Sequence, residues 1–424
     1  LLHDPITGSP AANQTVVGCV CLHVDELFMT GNAEFHSRVV APLRKSFDIG
    51  SEDKNNIEFV GQRIRWMDKG TKTQHICVDQ CKAIDGLAEM DIEKGLRDEI
   101  PCSPQQHTLY RSVLGQINWL QSRTQFHACY SFSRCASASA APKIGDCRML
   151  NKLVRQIRSN PVSLRFYPLK GTLRIVGYPD ASYRNNGDGS SQRGLCIFLA
   201  EARTTGRASA RGCLVDYESH KINRTTLSTT VAELYAFQKV YGSCCFMRGL
   251  WKDISGQSSD LHMRTDANNL VTTAQTTRLP EQKETMHMIQ QLRKQSVSGD
   301  IQDLAHIRTE HMLADCLTKS SIKPDNLVTA VKTGVLPDVD SQPEFRTLLK
   351  HKAYAAAWCA QELIDAPDVH TFLGVDVRSA IQSLYADQSS FVSKHLSKPY
   401  SAFLTQCTDT ASPDVMPEHF NALD

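Results

Sequence analysis

Four acidic residues stand where a carboxylate could do more than hydrate a surface. Asp180 follows a strand-like run in Gly177-Tyr178-Pro179-Asp180-Ala181, and Glu233 opens a helical stretch in Thr230-Val231-Ala232-Glu233. Asp266 ends a second strand-like run in Arg264-Thr265-Asp266, and Asp315 lies among apolar residues in Met312-Leu313-Ala314-Asp315-Cys316-Leu317. Singly, the first three have ordinary readings. Pro before Asp is turn chemistry, Glu233 fits a capping box that reaches back to its helix start, and Asp266 can cap the next helix. Asp315, an acid in an apolar run, fits no such device. Together the meaning changes. Four clustered anions raise one another's pKa unless a cation neutralises them. Hard oxygen donors select magnesium or manganese, and two such ions about 4 Å apart can clamp a phosphodiester from both sides. The set points to metal-dependent phosphodiester hydrolysis.

The elements that must position these acids follow from the hydrophobic pattern. Residues 172–220 are strand-rich, with LRIVGY and GLCIFLA around a Gly/Asn/Ser turn cluster at 185–191. A helix is expected over 230–251, a strand over 260–265, a helix from 267, another over 282–297, a strand over 301–307 and a last helix over 310–319. Three strands, helix, strand, helices, strand, helix is the element order of the RNase H fold, an α/β domain built on a mixed five-stranded sheet with flanking helices. In that arrangement two strand ends and two helix starts bring the four acids to one edge of one sheet.

Upstream, VVGCVCL over 16–22, the run His23-Val24-Asp25-Glu26 and Leu27-Phe28-Met29 read as two strands meeting at an acidic tip. Residues 33–47 read as helical, 57–66 as a strand and 108–139 as a buried helical stretch. From Lys143 to Lys170 seven basic residues face one acid, Asp146. Arg148, Lys152 and Arg155 share one helix face, and Leu150, Leu153, Val154 and Ile157 the other. The basic face reads equally as a solvated surface or as one that tracks phosphates. Beyond residue 320, 344–365 and 374–386 read as helical without recognisable chemistry.

The 424 residues are enough for two or three domains. A hydrophobic fraction of 41% and a charged fraction of 22% are ordinary for a globular chain. No apolar run reaches membrane-spanning length, so no membrane partner is expected. The net charge of +2 decides nothing about nucleic acid. The tightest groups of the 15 cysteines, Cys19/Cys21, Cys77/Cys81 and Cys244/Cys245, do not repeat as zinc-type pairs. Reduced thiols in cytoplasm or nucleus are the expectation. A first residue of Leu1, with no signal-like segment after it, reads as a piece of a longer chain.

A resemblance joins these segments. Gly177-Tyr178-Pro179-Asp180-Ala181-Ser182-Tyr183, Leu227-Ser228-Thr229-Thr230-Val231-Ala232-Glu233, Thr265-Asp266-Ala267-Asn268 and Met312-Leu313-Ala314-Asp315-Cys316-Leu317-Thr318-Lys319 resemble the RNase H domain of copia-type LTR retrotransposon polyproteins. Tyr110-Arg111-Ser112-Val113-Leu114-Gly115-Gln116-Ile117-Asn118-Trp119-Leu120 resembles the same polyproteins' segment between polymerase and nuclease. Val231 departs from the pattern, since many relatives carry an acid there.

The resemblance covers about residues 15–320. It implies a reverse transcriptase palm/thumb remnant over 1–140, a basic connection over 141–171 and an RNase H-like domain over 172–320; residues 321–424, which it does not reach, read from their pattern as a helical extension of unknown role. It also implies two Mg2+ or Mn2+ ions. Asp180 would bridge both, Glu233 and Asp266 would hold the ion nearer the leaving oxygen, and Asp315 the ion that carries the attacking water. The substrate would be the RNA strand of an RNA–DNA hybrid, whose 2′-hydroxyls line a wide minor groove. Other products of the same polyprotein are the further partners implied. His306 and His311 are candidates for the mobile histidine that aids product release in related nucleases.

The resemblance sets His23-Val24-Asp25-Glu26 in the place of the polymerase YVDD hairpin. A palm needs paired carboxylates from two segments, and the partner segment would lie well upstream of Asp25. Glu26 is one methylene longer than Asp, and His23 replaces an aromatic. No DNA synthesis is expected. Two alternatives to the nuclease remain: a non-catalytic remnant that at most binds nucleic acid, and an integrase-type enzyme. The second is disfavoured because its acids run Asp, Asp, Glu.

Overall fold

The computed structural model describes residues 16–202, 210–275 and 285–337. The chain divides into two compact units, Leu1–Leu270 with Leu304–Phe345, and Val271–Asp303 with Arg346–Asp424. The expected helices at 344–365 and 374–386 lie outside the described residues.

In the first unit, β1 (Gly18–His23) and β2 (Glu26–Gly31) form an antiparallel hairpin closed by Val24 and Asp25. Val24 takes φ 53°, a costly conformation for a β-branched residue. The hairpin leads into α1 (Ala33–Phe35), a π-turn over His36–Val40 and α2 (Ala41–Ser46).

The single strand expected over 57–66 is two. β3 (Asn56–Phe59) and β4 (Gln62–Met67) pair antiparallel around Val60 and Gly61, which adopt φ 48° and 65°. Such a paired left-handed turn suits the twist of a two-residue hairpin. β5 (His75–Asp79) pairs with β4, and after α3 (Cys81–Asp85) the chain enters three longer helices. The helical stretch expected over 108–139 divides into α4 (Pro104–Gln121), a 3-10 turn over Phe126–Ala128 and α5 (Cys129–Ser137). Ser103 and Gln106 close a capping box at the start of α4, where Pro104 costs no hydrogen bond.

α6 (Ile144–Ser159) follows the expected amphipathic pattern. Its Leu150, Leu153, Val154 and Ile157 are buried with Tyr110, Val113 and Ile117 of α4 in one apolar cluster. β6 (Leu164–Phe166) then completes a four-stranded sheet in the order β3-β4-β5-β6.

The second sheet positions the four acids. β7 (Leu173–Ser182), β8 (Gln192–Glu201) and β9 (Gly212–Lys221) form an antiparallel meander, α7 (Thr229–Ser255) crosses over, and β10 (Asp260–Thr265) returns parallel to β7. α8 (Asn268–Gln275), α9 (Met286–Val297) and β11 (Asp303–His306) follow, giving a five-stranded order β11-β10-β7-β8-β9. The sheet is therefore mixed and five-stranded, and its element order follows the expectation through β11.

The last helix expected, over 310–319, is instead two 3-10 turns, Thr309–His311 and Asp315–Leu317. Beyond residue 320, α10 (Asp325–Thr333) buries Leu327, Ala330 and Val331 in the cluster that holds Phe198 and Leu214 of the sheet. In the second unit, the Arg293 side chain of α9 donates to the Thr273 carbonyl at 2.9 Å.

Candidate metal centre

Parallel pairing explains how acids 86 positions apart become neighbours. Met263 of β10 is in register with Gly177 of β7. Three residues on in each strand, at the same end of a parallel pair, stand Asp266 and Asp180. Residues 177 and 194 shape the two faces. A Cβ built at Gly177 would lie 2.7 Å from Cys244 Sγ and 2.8 Å from Val240 Cγ1, so its absence lets α7 lie against β7. Small residues continue this contact, with Ala181 buried against Ala232 and Ala236. The start of α7, and Glu233 with it, is thereby brought to the end of β7.

Gly194 is the cross-strand partner of Asp180. A Cβ there would meet Leu317 Cβ and Thr318 Cγ2 at 2.9 Å and the Ala314 carbonyl at 3.0 Å. This gap admits the Asp315–Leu317 turn onto the sheet beside Asp180. The turn is tied down by Ser182 Oγ donating to the Thr318 carbonyl at 2.9 Å, and by Ser219 Oγ donating to the Leu317 carbonyl. These ties replace the helical bonds of the expected last helix.

Asp180, Glu233 and Asp266 each offer a carboxylate oxygen, and the three oxygens lie within 4.8 Å of one another. Among the described residues it is the one group of three or more His, Cys, Asp or Glu side chains with such geometry. Asp315 is not in the trio. It is buried next to it and joined through two neighbours. Lys319 pairs with the Asp315 carboxylate and stands 3.8 Å from Asp180 Oδ2. Thr318 Oγ1 donates to Asp180 Oδ2 and sits 3.1 Å from the Asp315 carbonyl. Thr318 and Lys319 were legible only as parts of a motif; nothing in their types marked them as contacts of the acids.

The capping role open to Glu233 is not the one it takes. Ser228 is the N-cap, its Oγ accepting from the Val231 N–H at 3.3 Å, which leaves Glu233 one turn in and buried. Its Oε2 has no hydrogen-bond partner among the described residues, a costly state for a buried oxygen. Val231, where an acid is common in the resembling sequences, is buried. Asp266 Oδ2 accepts from Thr309 Oγ1 at 3.1 Å, and His306 Nε2 lies 3.1 Å from the Asp266 carbonyl. His306 thus touches the backbone of the trio, whereas His311 is exposed on its 3-10 turn.

Burial raises the Asp180 carboxyl to about 7, with Lys319 opposing and Asp315 adding to the rise. Burial likewise lifts Glu233 well above the usual carboxylate range, with Asp180 and Asp266 adding to it. Asp266 is raised by burial and then by Asp315. Lys319 is raised despite its burial, because Asp180 and Asp315 favour its charge. Two buried carboxylates and a partly buried third, each raised above its ordinary value and one with an oxygen that finds no donor among the described residues, form a donor set that fits a hard divalent cation such as Mg2+ or Mn2+.

The other sequence candidates sit elsewhere. Asp25 and Glu26 are exposed at the β1–β2 tip, and Glu26 Oε2 accepts from the Val60 N–H at 3.0 Å. On α6, Arg148 pairs with Asp98 and donates to the Leu96 carbonyl at 2.6 Å, Arg155 pairs with Glu89, and Lys152 is exposed. One polar cluster had no sequence signal at all. Asp79, buried at the end of β5, is held by Arg63 at 3.1 Å and Arg65 at 2.7 Å.

No protein-family profile and no curated protein matches the chain. Among solved structures, the chain is similar to LC11-RNase H1 in complex with an RNA/DNA hybrid, at 18% identity over 36% of this chain and 99% of that one, with a TM-score of 0.26. It is similar to RNase H1 of the halophilic archaeon Halobacterium salinarum NRC-1 at 16% identity over 34% of this chain and 94% of that one, TM-score 0.26. The foamy viral protease-reverse transcriptase in complex with dsDNA is similar at 14% identity over 64% of this chain and 52% of that one, TM-score 0.18. With TM-scores this low, the functional reading rests on the strand register and the acids themselves.

Proposed function

We propose that this chain is a retrotransposon-derived nuclease that hydrolyses the RNA strand of RNA–DNA hybrids, its site carried on residues 172–320. One observation carries the reading: two buried carboxylates from β7 and α7 and a partly buried one just after β10 offer oxygens within 4.8 Å of one another. Asp180, Glu233 and Asp266 would hold a divalent ion, and Asp315 would serve a second. Such ions supply Lewis-acid polarisation of the phosphodiester and a water acidic enough to attack at neutral pH. The chain's own residues do the positioning. Thr318 fixes one Asp180 oxygen, Thr309 fixes one Asp266 oxygen, and Lys319 neutralises Asp315.

We read residues 1–140 as polymerase-derived and without synthetic activity, since Asp25 and Glu26 belong to no group of three or more metal-type ligands among the described residues. The copia-type origin rests on the resemblance of the four motif segments. A second reading, a non-catalytic remnant, draws support from one feature. Asp315 is engaged by Lys319 and stands apart from the trio.

Incubation with a labelled RNA–DNA hybrid and Mg2+ or Mn2+ separates the two. Cleavage of the RNA strand that falls at least about 10³-fold in both Asp180→Asn and Asp266→Asn is the expected outcome. A wild-type chain that binds hybrid but cleaves in neither metal would establish the remnant.

A further inference from the structure

Fifteen cysteines do not arrange as metal pairs in the sequence, yet the fold brings two distant ones into contact. Cys102 immediately precedes Ser103, the N-cap of α4, and Cys147 lies in the first turn of α6. Their sulfurs are 3.2 Å apart. The backbones beneath them are already pinned side by side. Pro101 and Lys143 form an antiparallel bridge, the Cys102 N–H donates to the Pro142 carbonyl at 3.0 Å, and the Ile144 N–H donates to the Ile100 carbonyl at 2.9 Å. A disulfide bond is about 2.0 Å long, so side-chain rotation alone spans the remaining gap. The two thiols also differ in access. Cys102 is partly exposed, whereas Cys147 is buried among Leu150, Tyr110 and their neighbours.

We propose that Cys102 and Cys147 form a dithiol site that reacts with low-molecular-weight disulfides of the glutathione class and closes to an intrachain cross-link between the starts of α4 and α6. The Cys102 thiolate attacks one sulfur of the small disulfide, breaking its S–S bond and releasing one thiolate. The mixed disulfide so formed places its Cys102 sulfur against Cys147. Cys147 then gives its proton to solvent and attacks that sulfur, expelling the second small thiolate. Two protein thiols are oxidised, one external disulfide is reduced to two thiols, and nothing else is consumed. Access sets the order. Burial pushes the Cys147 thiol up to about 12, with the Cys102 contact adding to the rise, so Cys147 acts as the resolving thiol and not as the first attacker. The closed loop spans 45 positions, long enough for the cross-link to restrict the unfolded chain appreciably.

The inference does not depend on the nuclease reading. The test uses the full chain, fully reduced and then equilibrated with oxidised glutathione, followed by peptide mass mapping and thermal unfolding. The expected result is a peptide pair joined through Cys102 and Cys147, lighter by two hydrogens than the separate reduced peptides. Unfolding of the oxidised form should shift upward by roughly 5–10 °C, reversed by dithiothreitol. Cys147→Ala should stop at a stable glutathionyl adduct on Cys102, and Cys102→Ser should remove both the cross-link and the shift. A wild-type chain that retains the glutathionyl adduct on Cys102, or in which Cys102 still alkylates freely after oxidation, overturns the proposal. Since Cys102 is only partly buried, its serine variant remains informative even where the alanine at Cys147 loosens the cluster.

Discussion

Two places in this molecule set acids at the end of a β-strand, and they treat them in opposite ways. At the β1–β2 tip, Asp25 and Glu26 are adjacent in sequence, exposed, and separated in purpose, with Glu26 engaged by the Val60 N–H. At the end of β7 and β10, Asp180 and Asp266 are far apart in sequence and share one cluster with Glu233. A hairpin tip sends successive side chains to opposite faces and into water, where two carboxylates scarcely interact. A parallel pair reached by a helical crossover ends both strands on the same edge, and the crossover helix starts close by. Sequence proximity of acids is thus a poor guide to a metal site. Shared edges are a better one.

That contrast can be broken most directly by pH. Above about pH 4 the unfolded chain has released a proton that folded Asp180 keeps until about 7, and burial raises Glu233 and Asp266 in the same direction. The native state binds more protons there, so the metal-free protein should lose stability as pH rises from about 4 to 7. The loss should be on the order of 2–4 kcal/mol, read as urea midpoints across that range. Asp180→Asn should flatten the dependence, and Asp25→Asn should leave it intact. Equal slopes in the two variants would remove the distinction between the sites.

Divalent cation restores what pH removes. Mn2+ at about a hundredfold excess over its dissociation constant should stabilise the folded chain by about 2–3 kcal/mol. Thermal unfolding at pH 7 should show that gain in the wild type and in the Asp25→Asn, Glu26→Gln double variant, and lose it in Asp180→Asn. Dependence on Asp25 or Glu26 would make the hairpin a second metal site.

The smallest effect concerns the basic face of α6. Arg148 and Arg155 already engage Asp98 and Glu89, so of these three Lys152 can meet phosphates without giving up an ion pair found among the described residues. Lys152→Ala should lower the slope of log affinity for hybrid against log salt by about 1 or less. A larger drop on also replacing Arg148 and Arg155 would show that their acidic partners release them to nucleic acid.

The pattern of residues made much of the fold legible. Short apolar runs marked β7, β8 and β10, and the long amphipathic stretch marked α6. Two expected elements came out differently. Val60-Gly61 looked like the middle of a strand because a left-handed turn left no polar signature. The run from Glu310 to Lys319 looked helical because Gly194 and Ser219, a hundred residues away, are what hold it in short 3-10 turns. Glu233, expected as a metal ligand, also fitted a cap, and Ser228 takes that role instead. In the run from Glu310 to Lys319, long-range contacts overrode a local preference.

For the candidate site, the sequence by itself determined which acids exist, that Asp180 and Asp266 lie on or next to strands and Glu233 near a helix start, and which of their neighbours are small. The tertiary structure alone decided which acids meet. The Met263–Gly177 register, the close approach allowed at Gly177 and Gly194, and the insertion of Lys319 between Asp180 and Asp315 are set by packing between elements. Periodicity is a property of one segment and can be read along it. The distance between two carboxylates depends on how two segments pack, and no single stretch of chain encodes that.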